Sequence, residues 1–313
     1  MRRWKRSGFP PAKAAGTGQV LCAAISPVLC AALFQHRDFT CSVRGARSAA
    51  FFTMKITTLG TSHGDPTPGH FCTSVPLEQG GRYYLVDAGE PANARLVQHG
   101  LCAAMLSAVW ITHVHVDHVG SVPILCEQAE KYRKNYPDIS LGIYFPEEQM
   151  IAGLEAWRRA MHSGRFVMRA GNADIATKLF AFKEGPFYND GIVAVTAIPT
   201  GHMEYLKEFG GQSYALKISA NGKNVLFTGD LKRSFEDFPL EAAQGCDAVF
   251  CELTHYPLEY AIPTFEKLRT GRLVFYHLGN PWQPEEGMRK ALDMCAHLPF
   301  PVEFSHDDYE LEL

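Results

Sequence analysis

The chain has 313 residues, 46% of them hydrophobic and 20% charged, which excludes a wholly disordered protein and suffices for one large domain or two small ones. Its nine cysteines (22, 30, 41, 72, 102, 126, 246, 251 and 295) form no C-x-x-C pair and are odd in number, which argues against a disulfide framework or a cysteine-held zinc and suits reduced thiols in the cytoplasm. The formal net charge of −3 hides an asymmetry: residues 1–53 carry eight Lys/Arg against one acid, Asp38, while residues 54–313 carry 22 Lys/Arg against 32 Asp/Glu. So acidic a body is a poor general binder of polyanions, because non-specific nucleic-acid affinity comes from cations that displace condensed counterions, and a small substrate suits it better than a long nucleic acid.

The first 53 residues read as a separate piece. Arg2, Arg3, Lys5 and Arg6 precede an apolar run over 20–34 that is short for a membrane span. The stretch is either a presequence or an upstream extension with no part in the fold, and no membrane association is expected. Met54 then opens the sequence MKITTLGTSHGD, a strand followed by a glycine turn, so the domain is expected to occupy 54–313.

From there the pattern predicts strands over 55–59, 74–79 and 82–87, with Gly80-Gly81 as the hairpin turn between the last two. A short helix is expected over 91–100 and a buried strand over 108–112 (AVWIT), followed by helical spacing over 120–136. A strand over 140–145, an amphipathic helix over 147–162 and strands over 178–182, 192–199, 213–219 and 224–228 follow. Strands at 248–252 and 273–276, with helices near 263–269 and 284–297, complete a second β-rich half. Two β-rich halves, each followed by helices, predict an α/β/β/α sandwich. No internal repeat is visible.

The segment Thr112-His113-Val114-His115-Val116-Asp117-His118 directly follows an apolar strand. Alternate residues of an extended segment project the same way, so His113 and His115 can hold one ion while Asp117 and His118 turn toward a second. Further ligands must come from distant loops. His202 ends Pro199-Thr200-Gly201, Asp230 ends Phe227-Thr228-Gly229, and His277 ends Leu273-Val274-Phe275-Tyr276. Each closes a hydrophobic run, which places all three on one rim, and a glycine before the ligand permits a tight turn.

The order H-x-H-x-D-H, single His, G-D, single His resembles the metallo-β-lactamase superfamily over nearly all of 54–313, and within it the ribonuclease Z-like branch. LGTSHGDPTP at 59–68, VTAIPTGH at 195–202, LFTGD at 226–230 and DDYELEL at 307–313 carry the likeness. The resemblance implies an α/β fold of the αββα type, two mixed sheets packed face to face with helices outside. It further implies that His113, His115 and His202 hold one zinc, that Asp117, His118 and His277 hold another, and that Asp230 bridges them, with Mn2+ or Fe2+ as alternatives to Zn2+. Two such ions would activate a water for hydrolysis, with Asp117 shared between ligation and catalysis.

Two departures from the branch narrow the function. Its usual H-E-x-T block is Cys251-Glu252-Leu253-Thr254-His255 here, so Glu252 keeps its place as a catalytic residue and His255 stands as a shifted substitute for the histidine, or as a hydrogen-bonded neighbour of the site. The flexible arm that grips transfer RNA is not found. Its region instead holds Trp157, Arg158, Arg159, Arg165, Phe166 and Arg169, either a solvated face or a compact lid from which Arg158 or Arg165 meets a phosphate. His63, in the opening loop, is a further substrate contact. The expected reaction is hydrolysis of a small phosphodiester or nucleotide; ester or lactone hydrolysis, transfer RNA 3′ processing and a non-catalytic metal-binding role are the alternatives. A homodimer is compatible with this reading.

Overall fold

The computed structural model describes residues 53–65, 67–132, 140–161 and 177–313. The extension over 1–52 and Arg165, Phe166 and Arg169 lie outside the described residues.

Among the described residues, fourteen strands form two seven-stranded sheets in the order β14-β1-β2-β3-β4-β5-β6 and β13-β12-β11-β10-β9-β8-β7. The first contains β1 (Lys55–Thr58), β2 (Val75–Gln79), β3 (Arg82–Val86), β4 (Leu106–Trp110), β5 (Leu141–Phe145), β6 (Thr177–Ala181) and the last strand, β14 (Tyr309–Glu312). The second contains β7 (Gly185–Asn189), β8 (Ala194–Thr200), β9 (Ser213–Ala220), β10 (Lys223–Phe227), β11 (Ala248–Leu253), β12 (Leu273–Leu278) and β13 (Val302–Phe304). Each sheet is mixed in the same way. Pairing is antiparallel from β14 to β3 and from β7 to β10, then parallel from β3 to β6 and from β10 to β13. The two halves thus repeat a topology without repeating a sequence.

Strand alternation decides what lies between the sheets. Tyr84, Val86, Ala108 and Trp110 point inward with Leu216, Phe227, Phe250 and Tyr276 of the other sheet to form the central core. Their chain neighbours Leu85, Val109 and Ile111 face outward onto α1 (Ala92–Gln98), α3 (Val122–Tyr132) and α4 (Glu148–Ala160). On the opposite outer face Leu226, Val249, Cys251 and Phe275 pack with α5 (Leu240–Ala243), α6 (Leu258–Phe265) and α7 (Glu285–Cys295). Central strands are buried on both faces, which is why they read as near-continuous apolar runs. The expected αββα sandwich is the fold observed.

Some elements differ from expectation. Strands β7, β13 and β14 escape the pattern: β7 begins Gly-Pro, β13 has three residues, and β14 buries only Leu311 among polar and exposed neighbours. The helix expected to start at Pro263 starts instead at Leu258, with Pro263 inside its last turn, where only one backbone hydrogen bond is forgone. The hairpin turn is as expected: Gly80 and Gly81 have φ of 59° and 76°, the pair of positive values a two-residue I′ turn needs.

The final strand closes the first sheet. β14 lies antiparallel to β1, with Lys55 opposite Glu312. Just before it, Asp307 accepts hydrogen bonds from Thr61 Oγ1 (2.8 Å) and the Phe71 N–H (2.9 Å), and Asp308 meets Arg95 and His99 beside α1. The loop over 60–71 is thereby pinned at the rim. No helix among the described residues is long and apolar enough to cross a membrane.

Candidate metal centre

Thr112 and His113 leave the end of β4, and His115 begins a single helical turn, α2 (Val116–Val119), that carries Asp117 and His118. The His118 and Val119 N–H groups both donate to the His115 carbonyl, which folds the segment back on itself. Gly89 makes room for this turn, since a Cβ there would lie 2.0 Å from the Asp117 carbonyl oxygen. His202 follows β8, and Asp230 follows β10 through Gly229, whose φ of 57° turns the chain. His277 sits within β12 at a bulge: Glu252 pairs with Tyr276 and Leu253 with Leu278, so His277 has no opposite number. Its φ of 49° is the left-handed value that a histidine adopts at a cost, and here it aims the ring at the rim.

These seven side chains meet as two clusters joined by one carboxylate. His113, His115, His202 and Asp230 form one group of ligand atoms lying within 4.8 Å of one another, and Asp117, His118 and His277 form a second. In the first, His115 Nδ1 is 3.1 Å from His113 Nε2 and 3.2 Å from His202 Nε2. In the second, His118 Nε2 is 3.0 Å from His277 Nε2, which is 3.4 Å from Asp117 Oδ2. Nitrogens on a tetrahedral zinc at about 2.0–2.1 Å are about 3.3 Å apart, so the spacing suits a shared cation. Asp230 divides its oxygens. Oδ2 is 3.4 Å from His113 Nε2 and 3.7 Å from His202 Nε2, while Oδ1 is 3.4 Å from both His118 Nε2 and His277 Nε2.

The chemistry of the donors also fits a cation. Asp230 is 2% exposed, yet its Oδ1 has no hydrogen-bond partner, an expensive arrangement unless a positive ion supplies one. Burial pushes His113 down to about 3 and His202 down to about 4, so both present the neutral ring that ligation requires. Burial opposes ionisation of Asp230 and Asp117, but the surrounding imidazoles outweigh it and hold both carboxyls below the usual range. Each ring is also fixed from behind. His118 Nδ1 faces Asp87 Oδ2 at 2.8 Å, His113 Nδ1 faces Thr112 Oγ1 at 3.1 Å, His277 Nδ1 faces Thr254 Oγ1 at 3.1 Å and His115 Nε2 faces Tyr205 Oη at 3.1 Å. Asp87 itself accepts the Thr112 N–H at 2.8 Å, tying β3 to the ligand turn.

His255 joins this arrangement and Cys251 does not. The His255 Nδ1 is 3.0 Å from Glu252 Oε1 and its Nε2 lies 3.7 Å from Asp230 Oδ2. Burial works against its protonation, but the hydrogen bond and charge of Glu252, with Asp230 behind, push it up to about 9. Cys251 points into the outer core, where its sulfur meets Tyr256 Oη at 3.3 Å. Glu252, expected as catalytic, is fully buried and accepts the N–H groups of Leu231 (2.7 Å), Thr254 (2.8 Å) and His255 (3.0 Å). It therefore holds the loop after Asp230 against the loop carrying His255, as a positioning residue.

The substrate contacts expected from the sequence are scattered. His63 bonds Asn280 Oδ1 at 3.0 Å and accepts the Asp65 N–H at 3.1 Å, and the adjacent Gly64 lies against the Asp117 carboxylate, so this loop does reach the site. Arg158 is placed elsewhere: it is 5% exposed and sits 3.7 Å from Glu127 of α3, because its face of α4 packs on that helix rather than on solvent. Arg165 lies outside the described residues. The sequence reading missed Asp87, Thr112, Thr254 and Tyr205. Only Asp87 carried a usable signal, as a carboxylate ending an apolar strand.

The fold is shared with the metallo-β-lactamase fold protein YhfI from Bacillus subtilis, at a TM-score of 0.63 and 20% identity over 82% of this chain and 99% of that one. Ribonuclease Z of Mycolicibacterium paratuberculosis is 29% identical over 184 residues, 56% of this chain but only 62% of the relative's length. Ribonuclease Z of Mycobacterium marinum is 28% identical over 246 residues, 72% of this chain and 86% of the relative. A family model described as Anti-Pycsar protein Apyc1 matches residues 54–290, a span that begins at Met54 and contains every candidate ligand from His113 to His277. The chain belongs to the Anti-Pycsar protein Apyc1 family, a ribonuclease Z-like group within the metallo-β-lactamase superfamily.

Proposed function

We propose that this protein is a dinuclear zinc hydrolase that cleaves a small phosphodiester, a cyclic nucleotide or a short nucleotide end, and that 54–313 forms its catalytic domain. The observation that carries the reading is Asp230, whose two oxygens face two separate ligand clusters, one of them through an atom with no other partner. A carboxylate so shared is what two dications need to sit close together. When bound, such a pair of ions lowers the pKa of a water and polarises a phosphoryl oxygen.

The chain's own residues supply the rest. Asp87, Thr112, Thr254 and Tyr205 fix the ring orientations, so the donors are in place before substrate arrives. Asp117 stands at the rim with one oxygen turned to His277 and orients the attacking group. His255, held by Glu252 and half-exposed, offers its Nε2 to the leaving oxygen from beside Asp230. His63 lines the entrance with the pinned opening loop.

The acidic body favours a small substrate over long RNA. Transfer RNA 3′ processing is the second reading, favoured by the relatives named ribonuclease Z. Metal analysis of the purified protein, with turnover of bis-p-nitrophenyl phosphate, a cyclic nucleotide panel, a lactone panel and a precursor transfer RNA, separates the alternatives. Two ions per chain and turnover of bis-p-nitrophenyl phosphate and of cyclic nucleotides are expected, with the lactones and the precursor transfer RNA left intact. Cleavage confined to the transfer RNA or to lactones, or fewer than two ions, overturns the reading.

A further inference from the structure

Two aromatic side chains stand out on the segment Glu204–Phe209, where Tyr205 is 68% and Phe209 73% exposed. A single exposed ring is ordinary on a protein surface. Tyr205 differs because its hydroxyl lies 3.1 Å from Nε2 of His115, whose other ring nitrogen belongs to the first ligand cluster. The ring therefore stands one imidazole away from the candidate metal centre with its face in solvent. Val116, which follows His115 in the chain, is 74% exposed.

The segment that carries Tyr205 is held firmly. Met203 is buried and its N–H meets Ser213 Oγ at 3.3 Å, Glu204 pairs with Lys232, and the Gly211 N–H closes the far end on the Leu206 carbonyl at 3.0 Å. An exposed aromatic on a braced segment loses little conformational freedom when a flat ligand covers it. The phosphodiester of a nucleotide must lie over the ligand clusters to react, and a base reaching past His115 then meets the Tyr205 ring. Every nucleobase has a π-face, and stacking on tyrosine is tolerant of base identity.

We infer that Tyr205 is a specificity-determining residue whose ring stacks on the nucleobase of the substrate, selecting base-bearing phosphodiesters from base-free ones. The inference rests on the phosphodiesterase reading and narrows its substrate class. The hydroxyl has a separate task, accepting the His115 Nε2 proton and so holding that ligand's orientation. Ring and hydroxyl can be removed independently.

The test compares the metal-loaded full chain with Tyr205→Ala, Tyr205→Phe and, as a surface control, Phe209→Ala. Substrates are a 3′,5′-cyclic nucleotide and the same cyclic ribose phosphate with a methoxy group replacing the base; binding of the mononucleotide product is followed by calorimetry. Because both variants lack the hydroxyl, the ring is read from Tyr205→Ala against Tyr205→Phe: the KM for the cyclic nucleotide should be roughly tenfold higher in Tyr205→Ala, with kcat and the base-free KM the same in the two variants. Tyr205→Phe and Phe209→Ala should keep the wild-type preference, and mononucleotide affinity should fall only in Tyr205→Ala. Equal losses on both substrates, or wild-type mononucleotide affinity in Tyr205→Ala, overturn the inference while leaving phosphodiester hydrolysis intact. If wild type turns over neither substrate but mononucleotide affinity still depends on the ring, the stacking stands and the phosphodiesterase reading falls.

Discussion

The two halves of the molecule bring ligands to the same rim by different routes. The N-terminal half supplies His113, His115, Asp117 and His118 from a single turn behind β4. The C-terminal half supplies His202, Asp230 and His277 singly, from β8, β10 and β12. In the first case local chain geometry sets the spacing, and a damaged turn disturbs both clusters at once. In the second, each ligand depends on the register of its own strand, and Asp230 and His277 also lie within reach of His255. Asp230 is the point where the two routes join.

That contrast can be broken most sharply at Asp230. Asp230→Ala should reduce turnover beyond roughly 10³-fold and release at least one ion, because the other carboxylate, Asp117, belongs to one cluster only and cannot stand between two dications. Unchanged metal content by elemental analysis would remove Asp230 from its bridging role. Next in size, His202→Ala and His277→Ala should each lose one ion and retain the other, whereas His115→Ala should disturb both clusters through the shared turn. Identical stoichiometry in all three variants would erase the distinction between the halves.

His255→Ala asks whether a residue outside both clusters acts on the reaction. A loss of roughly 10²-fold is expected for alkoxide leaving groups, shrinking for nitrophenolate, with metal content unchanged. A uniform loss on both substrate types would make His255 a support of Asp230 instead. The smallest effect is expected at Asp87, which touches His118 only from behind. Asp87→Asn should weaken metal affinity about 10–100-fold by loosening the His118 ring, measured by competition with a chelating dye. Wild-type affinity would show that Thr112 and the turn alone suffice.

The same contrast explains what the sequence disclosed. Four ligand-type residues in six positions are a signal that needs no tertiary knowledge, and strand-end rules found the other three because each closes an apolar run. Asp87 obeys that rule after β3 and went unread, since a lone aspartate after a strand is commonplace. Thr112 and Tyr205 were not legible at all, and Thr254 stood only as a motif position without its partner: a hydroxyl's partner is chosen by how the sheets pack, and nothing local marks it. Cys251 and His255 show the limit of motif alignment. The sequence places a cysteine where the family has a histidine, but only the outward pleat of β11 shows that Cys251 faces the core while His255, past the strand end, faces Asp230. The repeated sheet topology likewise left no trace, because it constrains burial pattern and not residue identity.

The placement of β14 also bears on how the protein is made. β1, the first strand of the domain, has one neighbour in β2 and the other in β14, so its ladder stays half open until Tyr309–Glu312 has left the ribosome. The ligand turn from His113 to His118 emerges long before the strand that carries His277, and the opening loop waits longer still for Asp307. Assembly of the centre is thus a late, long-range event, and a nascent chain interrupted near its end would present the candidate ligand histidines without the strand and the clamp that organise the rim around them.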